Sequence, residues 1–172
     1  MDEQTLTALL RQVRDGGMQI PEAVDRLRRL EVEVLASARL DHHRALRTGL
    51  PEAVFGENKS ADQLVEILAA LLRTDSVVLA TRVDADKAAA VRARLAGLAY
   101  HPAARILTGN DRHIPVGRAS GTVVIVTAGT SDLPVAEEAR ITLHMFGHPV
   151  ETVYDAGVAG IHRMLAHSAL LQ

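Results

Sequence analysis

The sequence predicts an α/β protein in three parts: a helical arm over residues 1–37, a small α/β unit over 38–118, and the opening βαβα run of a parallel sheet over 119–172. Three observations carry this reading. The first thirty residues place Leu and Val at helical spacing. Residues 50–108 alternate short β-branched runs with helical patterns, as α/β units do. The segment Val123–Ala139, VVIVTAGTSDLPVAEEA, passes from a β-branched run through small and hydroxylated residues directly into a helical pattern.

In the arm, Leu6, Leu9, Leu10 and Val13 form one stripe and Val24, Leu27 and Leu30 the next. Asp15, Gly16 and Gly17 separate them and Pro21 opens the second helix, so the pair reads as a helical hairpin or dimerisation arm. From Ala38 to Gln63 the chain is dense in charge, His and Gly yet keeps Leu, Val and Phe, which suits a functional connector rather than a spacer. Val54 and Phe55 suit a short strand ending at Gly56. Ser60 and Gln63 have capping-box spacing for a helix through Leu64, Ile67, Leu68 and Leu71.

Ser76–Thr81 reads as a strand, Asp84 opens a helix over Ala88, Val91 and Leu95 that Gly97 ends, and 98–100 and 105–108 read as short strands. The turn-rich stretch GNDRHIPVGRAS, 109–120, marks the boundary between units. Beyond it come a strand over 121–127, a helix over 133–146, a strand over 150–154 and a helix over 158–169. Five consecutive apolar or β-branched residues, Val123–Thr127, suit a strand buried on both faces of a parallel sheet.

Composition removes several function classes. A hydrophobic content of 48% argues for a packed fold, and a formal net charge of −2 argues against holding nucleic acid by bulk phosphate neutralisation. With no Trp, two Tyr and two Phe, the chain also lacks stacking platforms for single strands. No apolar run approaches bilayer length and the polar opening MDEQTLTALLRQ is no signal peptide, so the expected location is cytoplasmic, away from membranes. The absence of Cys excludes disulfides, thiolate zinc sites and a cysteine nucleophile within these 172 residues.

Three segments carry the candidate chemistry. Thr127–Asp132 sits at the carboxyl end of a predicted parallel strand, where open α/β sheets bind ligands. Thr130 and Ser131 can hydrogen-bond phosphate or ribose oxygens there, and Asp132 can hold a ribose hydroxyl or simply cap the helix. DAGVAGIHR, 155–163, repeats the pattern after the next strand: Asp155 at the strand end, Gly157 permitting close approach, and His162 and Arg163 in the first turns of the following helix. A third block, 41–59, gathers Asp41, His42, His43, Arg44, Arg47, Glu52, Glu57 and Lys59. Its cations suit phosphates or carboxylates, or a salt-bridged surface. Adjacent His42 and His43 would point apart on a strand, and His144 with His148 lacks the HExxH glutamate, so no metal set is expected.

Taken in order, DHHRALRTGLPEAVFGENK, VLATR (Val78–Arg82), VVIVTAGTSDLPVAEEA and VYDAGVAGIHR resemble the segments of LarB, the nickel-pincer cofactor biosynthesis family with a PurE-like, aminoimidazole ribonucleotide carboxylase-like domain. The resemblance runs over nearly the whole chain. It implies that 119–172 open a flavodoxin- or Rossmann-like PurE sheet. It also implies a carboxylase and hydrolase acting on nicotinic acid adenine dinucleotide, with carbon dioxide or bicarbonate as co-substrate. The products would be pyridinium-3,5-biscarboxylic acid mononucleotide and AMP, on the way to the nickel-pincer cofactor of lactate racemase.

By the same resemblance Arg44, Lys59 and Arg82 would join Thr130, Ser131, Asp132, Asp155, Gly157, His162 and Arg163 in contacting substrate. Mg²⁺ bridging two phosphates would suit the anhydride cleavage. The family's catalytic glutamate and cysteine nucleophile have no counterpart in these residues, so the catalytic residues stay unassigned. The expectation is therefore a truncated, frameshifted or split protein, inactive alone, that assembles as a homo-oligomer or with a complementing carboxyl-terminal chain. Two alternatives stay open: a non-catalytic binding or assembly half, and a purine-pathway aminoimidazole ribonucleotide carboxylase or mutase.

Overall fold

A computed structural model describes residues 3–28, 33–41, 44–117 and 119–171. His42, His43 and Leu30 lie outside the described residues, as does the side chain of Arg47. The arm forms α1 (Glu3–Arg14) and α2 (Ile20–Arg28), joined by a turn in which Gly16 has φ +76° and the Gly17 N–H donates to Gln12 O at 2.8 Å. Leu9, Met18 and Ala23 make its small core, with Val13 against it. The predicted stripes are therefore narrower than expected. Two short helices cover only the strip where they touch, so Leu10 and Val24 face outward, 54% and 40% exposed.

Next comes a hairpin of β1 (Glu33–Val34) and β2 (Arg39–Leu40), then α3 (Arg44–Thr48). The hairpin turn is held from a distance: the Glu66 carboxylate accepts from the Ala36 N–H at 2.7 Å and from the Ser37 hydroxyl. Glu66 belongs to α4 (Ala61–Leu72), which follows β3 (Ala53–Phe55). The capping box is present in both halves, Gln63 N–H to Ser60 Oγ at 3.2 Å and Ser60 N–H to Gln63 Oε1 at 3.0 Å. β4 (Val78–Thr81), α5 (Ala85–Arg92), β5 (Leu98–His101) and β6 (Ile106–Gly109) complete the unit. The sheet order is β3-β4-β6-β5, with β3 and β4 parallel and the other pairs antiparallel.

One face of this sheet takes α4 and α5 through Leu64, Ile67, Leu68, Ala88 and Val91, packed with Val78, Ala80 and Leu107. The other face takes a helix from the carboxyl-terminal part. β7 (Val123–Val126), α6 (Leu133–Met145) and β8 (Val150–Val153) form a parallel βαβ unit, and Ile141 and Met145 of α6 pack on Val77, Leu79 and Ile106. α6 ends in a Schellman motif: Gly147 has φ +82°, its N–H donates to His144 O, and the His148 N–H donates to Leu143 O. A Cβ on Gly147 would lie 2.2 Å from Pro115 O, so only glycine fits this close approach.

Two expectations are corrected here. Val123–Thr127 is not a strand buried on both faces: Val123, Val124 and Ile125 are half-buried and Val126 is 44% exposed. The physical reason is pairing, since β7 hydrogen-bonds only to β8 in this sheet. The single helix over 158–169 is broken into a 3₁₀ turn at Val158–Gly160, α7 (Ile161–Leu165) and α8 (Ser168–Leu171). Gly160 leaves helical geometry at φ −130°, ψ 64°, and the His167 N–H tightens to an i−3 bond with Met164 O, interrupting the ladder. Among the described residues no helix is long and apolar enough to cross a membrane.

Candidate functional site

Thr127 fastens the two carboxyl-terminal strand ends together. Its N–H donates to Val153 O at 2.9 Å, its carbonyl accepts from the Ala156 N–H at 2.8 Å, and its hydroxyl oxygen accepts from the Asp155 N–H at 3.1 Å. Gly157 then lies so close to Ala128 that a Cβ would sit 2.6 Å from the Ala128 carbonyl oxygen. The loops after β7 and β8 are thus in contact at adjacent parallel strand ends.

In the first loop Thr130–Asp132 form a 3₁₀ turn, all three exposed, leading into α6 with Pro134 in its first turn. Asp132 precedes α6 but makes no side-chain cap bond to that helix; its Oδ2 instead reaches back to accept from the Gly129 N–H at 3.1 Å, closing the 3₁₀ turn. In the second loop Asp155 adopts φ +55°, a conformation Asp tolerates better than most residues, and its carboxylate accepts from the Arg163 guanidinium. His162 is exposed beside it.

A second pair of strand ends lies at β3 and β4. The Gly56 N–H donates to Thr81 O at 2.8 Å, and a Cβ on Gly56 would lie 2.7 Å from Val83 Cγ2 and 2.9 Å from Thr81 O. Lys59 closes the following turn, its N–H donating to Gly56 O at 3.2 Å. Lys87 fixes that turn from α5, its Nζ donating to Glu57 O at 2.8 Å and Gly56 O at 3.4 Å. Asp84 caps α5 through the Lys87 N–H, and this bond, with help from the Lys87 ammonium, holds its carboxyl below the usual range.

Arg82 follows β4 and reaches across to α6, where its Nε donates to both oxygens of Glu138 at 3.0 and 2.7 Å. Glu138 is five residues into α6, about 7.5 Å along the axis from Leu133 at the usual helical rise. Arg82 and the Thr130–Asp132 turn therefore share one end of the molecule. No hydrogen bond or ion pair among the described residues joins Arg44 to either group. Its backbone N–H donates to Asp41 O at 3.1 Å.

A polar cluster that sequence reasoning missed fills the seam between the units. Glu137 accepts from Arg140 at 2.9 and 2.8 Å and from the Tyr154 hydroxyl, and the Arg140 bond is the main cause holding its carboxyl low. His101 of β5 bonds Thr108 Oγ1 at 3.0 Å, and burial, with Arg140 next, pushes its imidazole below its ordinary value. The Glu137–Arg140 spacing of three was readable as a helical pair. Lys87, Glu138, His101 and Tyr154 act over sequence separations that leave no local pattern. Among the described residues no group of three or more His, Cys, Asp or Glu is placed to hold a metal ion.

A mixed four-stranded sheet followed by a parallel βαβ unit, with the strand-end loops of that unit in contact, defines an α/β protein of the PurE-like kind. Comparison points to a family. Residues 32–111, a little under half of the chain, match the model of the LarB/PurE-like N-terminal domain. The match begins ahead of residue 38 and takes in the β1–β2 hairpin, whose Leu40 is part of the main core. Over 167 residues the chain is also 32% identical to the uncharacterized protein MJ0165 of Methanocaldococcus jannaschii. The matched region covers 94% of this chain and 65% of that protein, so the chain spans a little under two thirds of its relative's length.

Proposed function

We propose that this chain binds nicotinic acid adenine dinucleotide for carboxylation of its pyridinium ring, as the substrate-holding part of a LarB-type carboxylase and hydrolase. The observation that supports it most is the contact between the 127–132 and 155–163 loops at adjacent parallel strand ends, in a chain whose residues 32–111 match the LarB/PurE-like N-terminal domain. In this reading the Thr130 and Ser131 hydroxyls and the N–H groups opening α6 hold phosphate oxygens, and Asp132 holds a ribose hydroxyl with the oxygen not spent on Gly129. Lys59 and Arg82 neutralise anionic groups of the substrate.

The chemistry divides between this chain and its complement. A nucleophile adds to an electron-poor ring carbon, and the resulting enamine attacks carbon dioxide, forming the new carbon–carbon bond. Loss of the ring proton and expulsion of the nucleophile restore the pyridinium. Water then cleaves the phosphoanhydride, leaving AMP. These 172 residues contain no Cys, so a cysteine nucleophile comes from outside them, and the contribution proposed here is binding and orientation.

Calorimetry tests the reading. Ser131→Ala should weaken the dinucleotide about tenfold, the value of one hydrogen bond to a charged oxygen. Asp132→Asn should weaken the dinucleotide while leaving inorganic pyrophosphate unchanged, because only the dinucleotide carries ribose. Absence of dinucleotide binding refutes the reading, and unchanged affinity in both variants removes these residues from the site.

A second reading, a non-catalytic assembly half, is favoured by exposed Val126, Val158, Ile161 and Leu165 around the β7–β8 unit. Co-expression with a cysteine-bearing carboxyl-terminal chain separates the two. Labelled bicarbonate should enter the dinucleotide in the reconstituted pair, whereas an assembly half gives a complex without incorporation. Incorporation into aminoimidazole ribonucleotide instead would assign the purine-type reaction.

A further inference from the structure

We propose that Arg82 is a clamp for a two-oxygen anion, a carboxylate or phosphate of the ligand, and that Glu138 is the positioning residue that presets it. The proposal deepens the substrate reading above and rests on it. Three observations carry it, beginning with the backbone. Arg82 has φ +56°, a conformation that costs energy for a residue bearing a Cβ and is tolerated when its surroundings enforce it. Here they do: the next residue, Val83, is fully buried and its N–H donates to Arg105 O at 2.8 Å. The effect is to turn the Arg82 side chain out of the strand and toward α6.

The second observation is which nitrogen Glu138 engages. Both carboxylate oxygens sit on Nε, at 3.0 and 2.7 Å, and the terminal nitrogens donate to no group among the described residues. An ion pair built for its own sake uses the fork, with two parallel bonds. This one anchors the guanidinium by its root and leaves the end pair of N–H groups to a ligand. The exposures agree: the Glu138 side chain is 21% exposed and that of Arg82 40%.

The third is location. The register pairs Phe55 with Thr81, so Gly56 stands beside Arg82 at the carboxyl ends of two parallel strands. The turn from Gly56 to Lys59 is gripped by Lys87, whose ammonium is paired with Asp84 at 3.3 Å, so the turn beside Arg82 is held in place. A half-exposed ion pair contributes little to stability, so a strained arginine held by a partly buried glutamate is better explained by what the free end meets.

Two small probes separate the ligand groups: nicotinate for the ring carboxylate and inorganic pyrophosphate for the diphosphate. Calorimetry on the full 172-residue chain should show that Arg82→Gln weakens one probe at least tenfold while the other changes less than twofold. Arg82→Lys, which keeps the charge but not the fork, should recover only part of the loss. Glu138→Gln should weaken the same probe three- to tenfold, Glu138→Asp less, and Glu137→Gln should leave it unchanged. The ¹⁵N signals separate a clamp from a merely structural ion pair, since only a clamp responds to the probe at the terminal nitrogens of Arg82. The Nε–H resonance should be slow to exchange in the wild type, lost in Glu138→Gln, and little shifted by the probe, whose effect falls on the terminal nitrogens.

Equal affinities for both probes in Arg82→Gln and wild type overturn the clamp, as does tighter binding by Glu138→Gln, which would make Glu138 a competitor. Failure of the wild type to bind either probe overturns it too. If the dinucleotide binds and is indifferent to Arg82 and Glu138, the clamp falls and the substrate reading stands. If the dinucleotide does not bind but one probe does so through Arg82, the clamp stands and the substrate reading falls.

Discussion

Replacing Gly157 by alanine tests whether contact between the two strand-end loops is what holds the candidate site. The backbone at Gly157 is ordinary, φ −66° and ψ 152°, so the substitution brings no conformational strain of its own. The whole effect is steric. The added Cβ would lie 2.6 Å from the Ala128 carbonyl oxygen and 3.3 Å from its carbon. Ordinary van der Waals contact begins near 3.4 Å, so the loops must separate by the better part of an ångström. Overpacking of this kind costs about 1–3 kcal/mol. For a domain of this size that lowers Tm by roughly 2–12 °C, at about 2–4 °C per kcal/mol.

A control lies within the same loop pair. Gly129, also without positive φ, would place a Cβ no closer than 4.0 Å to anything, at Ser131 Oγ, and its alanine variant should unfold within about 0.5 kcal/mol of wild type. Urea titration of the two variants reads the stabilities and calorimetry with the dinucleotide reads the site. Gly157→Ala should lose both stability and affinity. Equal stability of the two variants would refute the close approach, and a destabilised Gly157→Ala with unaltered affinity would show that the crevice does not depend on it.

Three further outcomes follow from the packing. His101 has a folded value below its ordinary 6.5, so the unfolded chain binds the proton more readily; stability is full above that value and falls as pH drops through it. Urea midpoints at pH 7.5 and 5.5 should therefore drop less in His101→Gln than in wild type, and parallel drops would refute this. Asn110 has φ +58° and its amide donates to the carbonyls of Leu72, Thr74 and Ser76 at 3.1–3.2 Å, tying the end of α4 to the end of β6. Asn110→Ala should cost about 1–3 kcal/mol by urea titration, and Asn110→Gly less, because glycine keeps the backbone angle at no strain. Ser60→Ala breaks the capping box of α4 and should cost about 0.5–2 kcal/mol. An unchanged midpoint would mean that the α4 start is held by packing alone.

What the sequence made legible was local. The capping box at Ser60 and Gln63, the Asp84 cap, Pro134 in the first turn of α6 and Gly147 beyond its end are each signals confined to a few residues, and the elements began and ended near them. The β1–β2 hairpin escaped because its strands are two residues each and its turn is held by Glu66, thirty residues on. The placement of β6 between β4 and β5 was equally hidden, since short alternating runs do not say which neighbour they pair with. Of the candidate site, the two strand-end loops could be read from small and hydroxylated residues after β-branched runs. Glu138, fifty-six residues from Arg82, could not, and neither could Lys87 as the residue gripping the 56–59 turn.

The functional weight of α6 follows from these long-range contacts. Its apolar face, Ile141 and Met145, seats it on the β4–β6 side of the four-stranded sheet, so its position is set by the amino-terminal unit. Its polar residues then reach in two directions: Glu138 to Arg82 at the end of β4, and Glu137 to Tyr154 at the end of β8. Its first turn grows directly out of the Thr130–Asp132 loop. One rigid helix thus fixes the distance between the strand ends at β3–β4 and the loops at β7–β8. The dinucleotide proposed above is long enough to touch both, and in that reading it would meet two sites whose spacing is preset by the buried core that docks the βαβ unit on the sheet. Preset spacing lowers the ordering cost of binding.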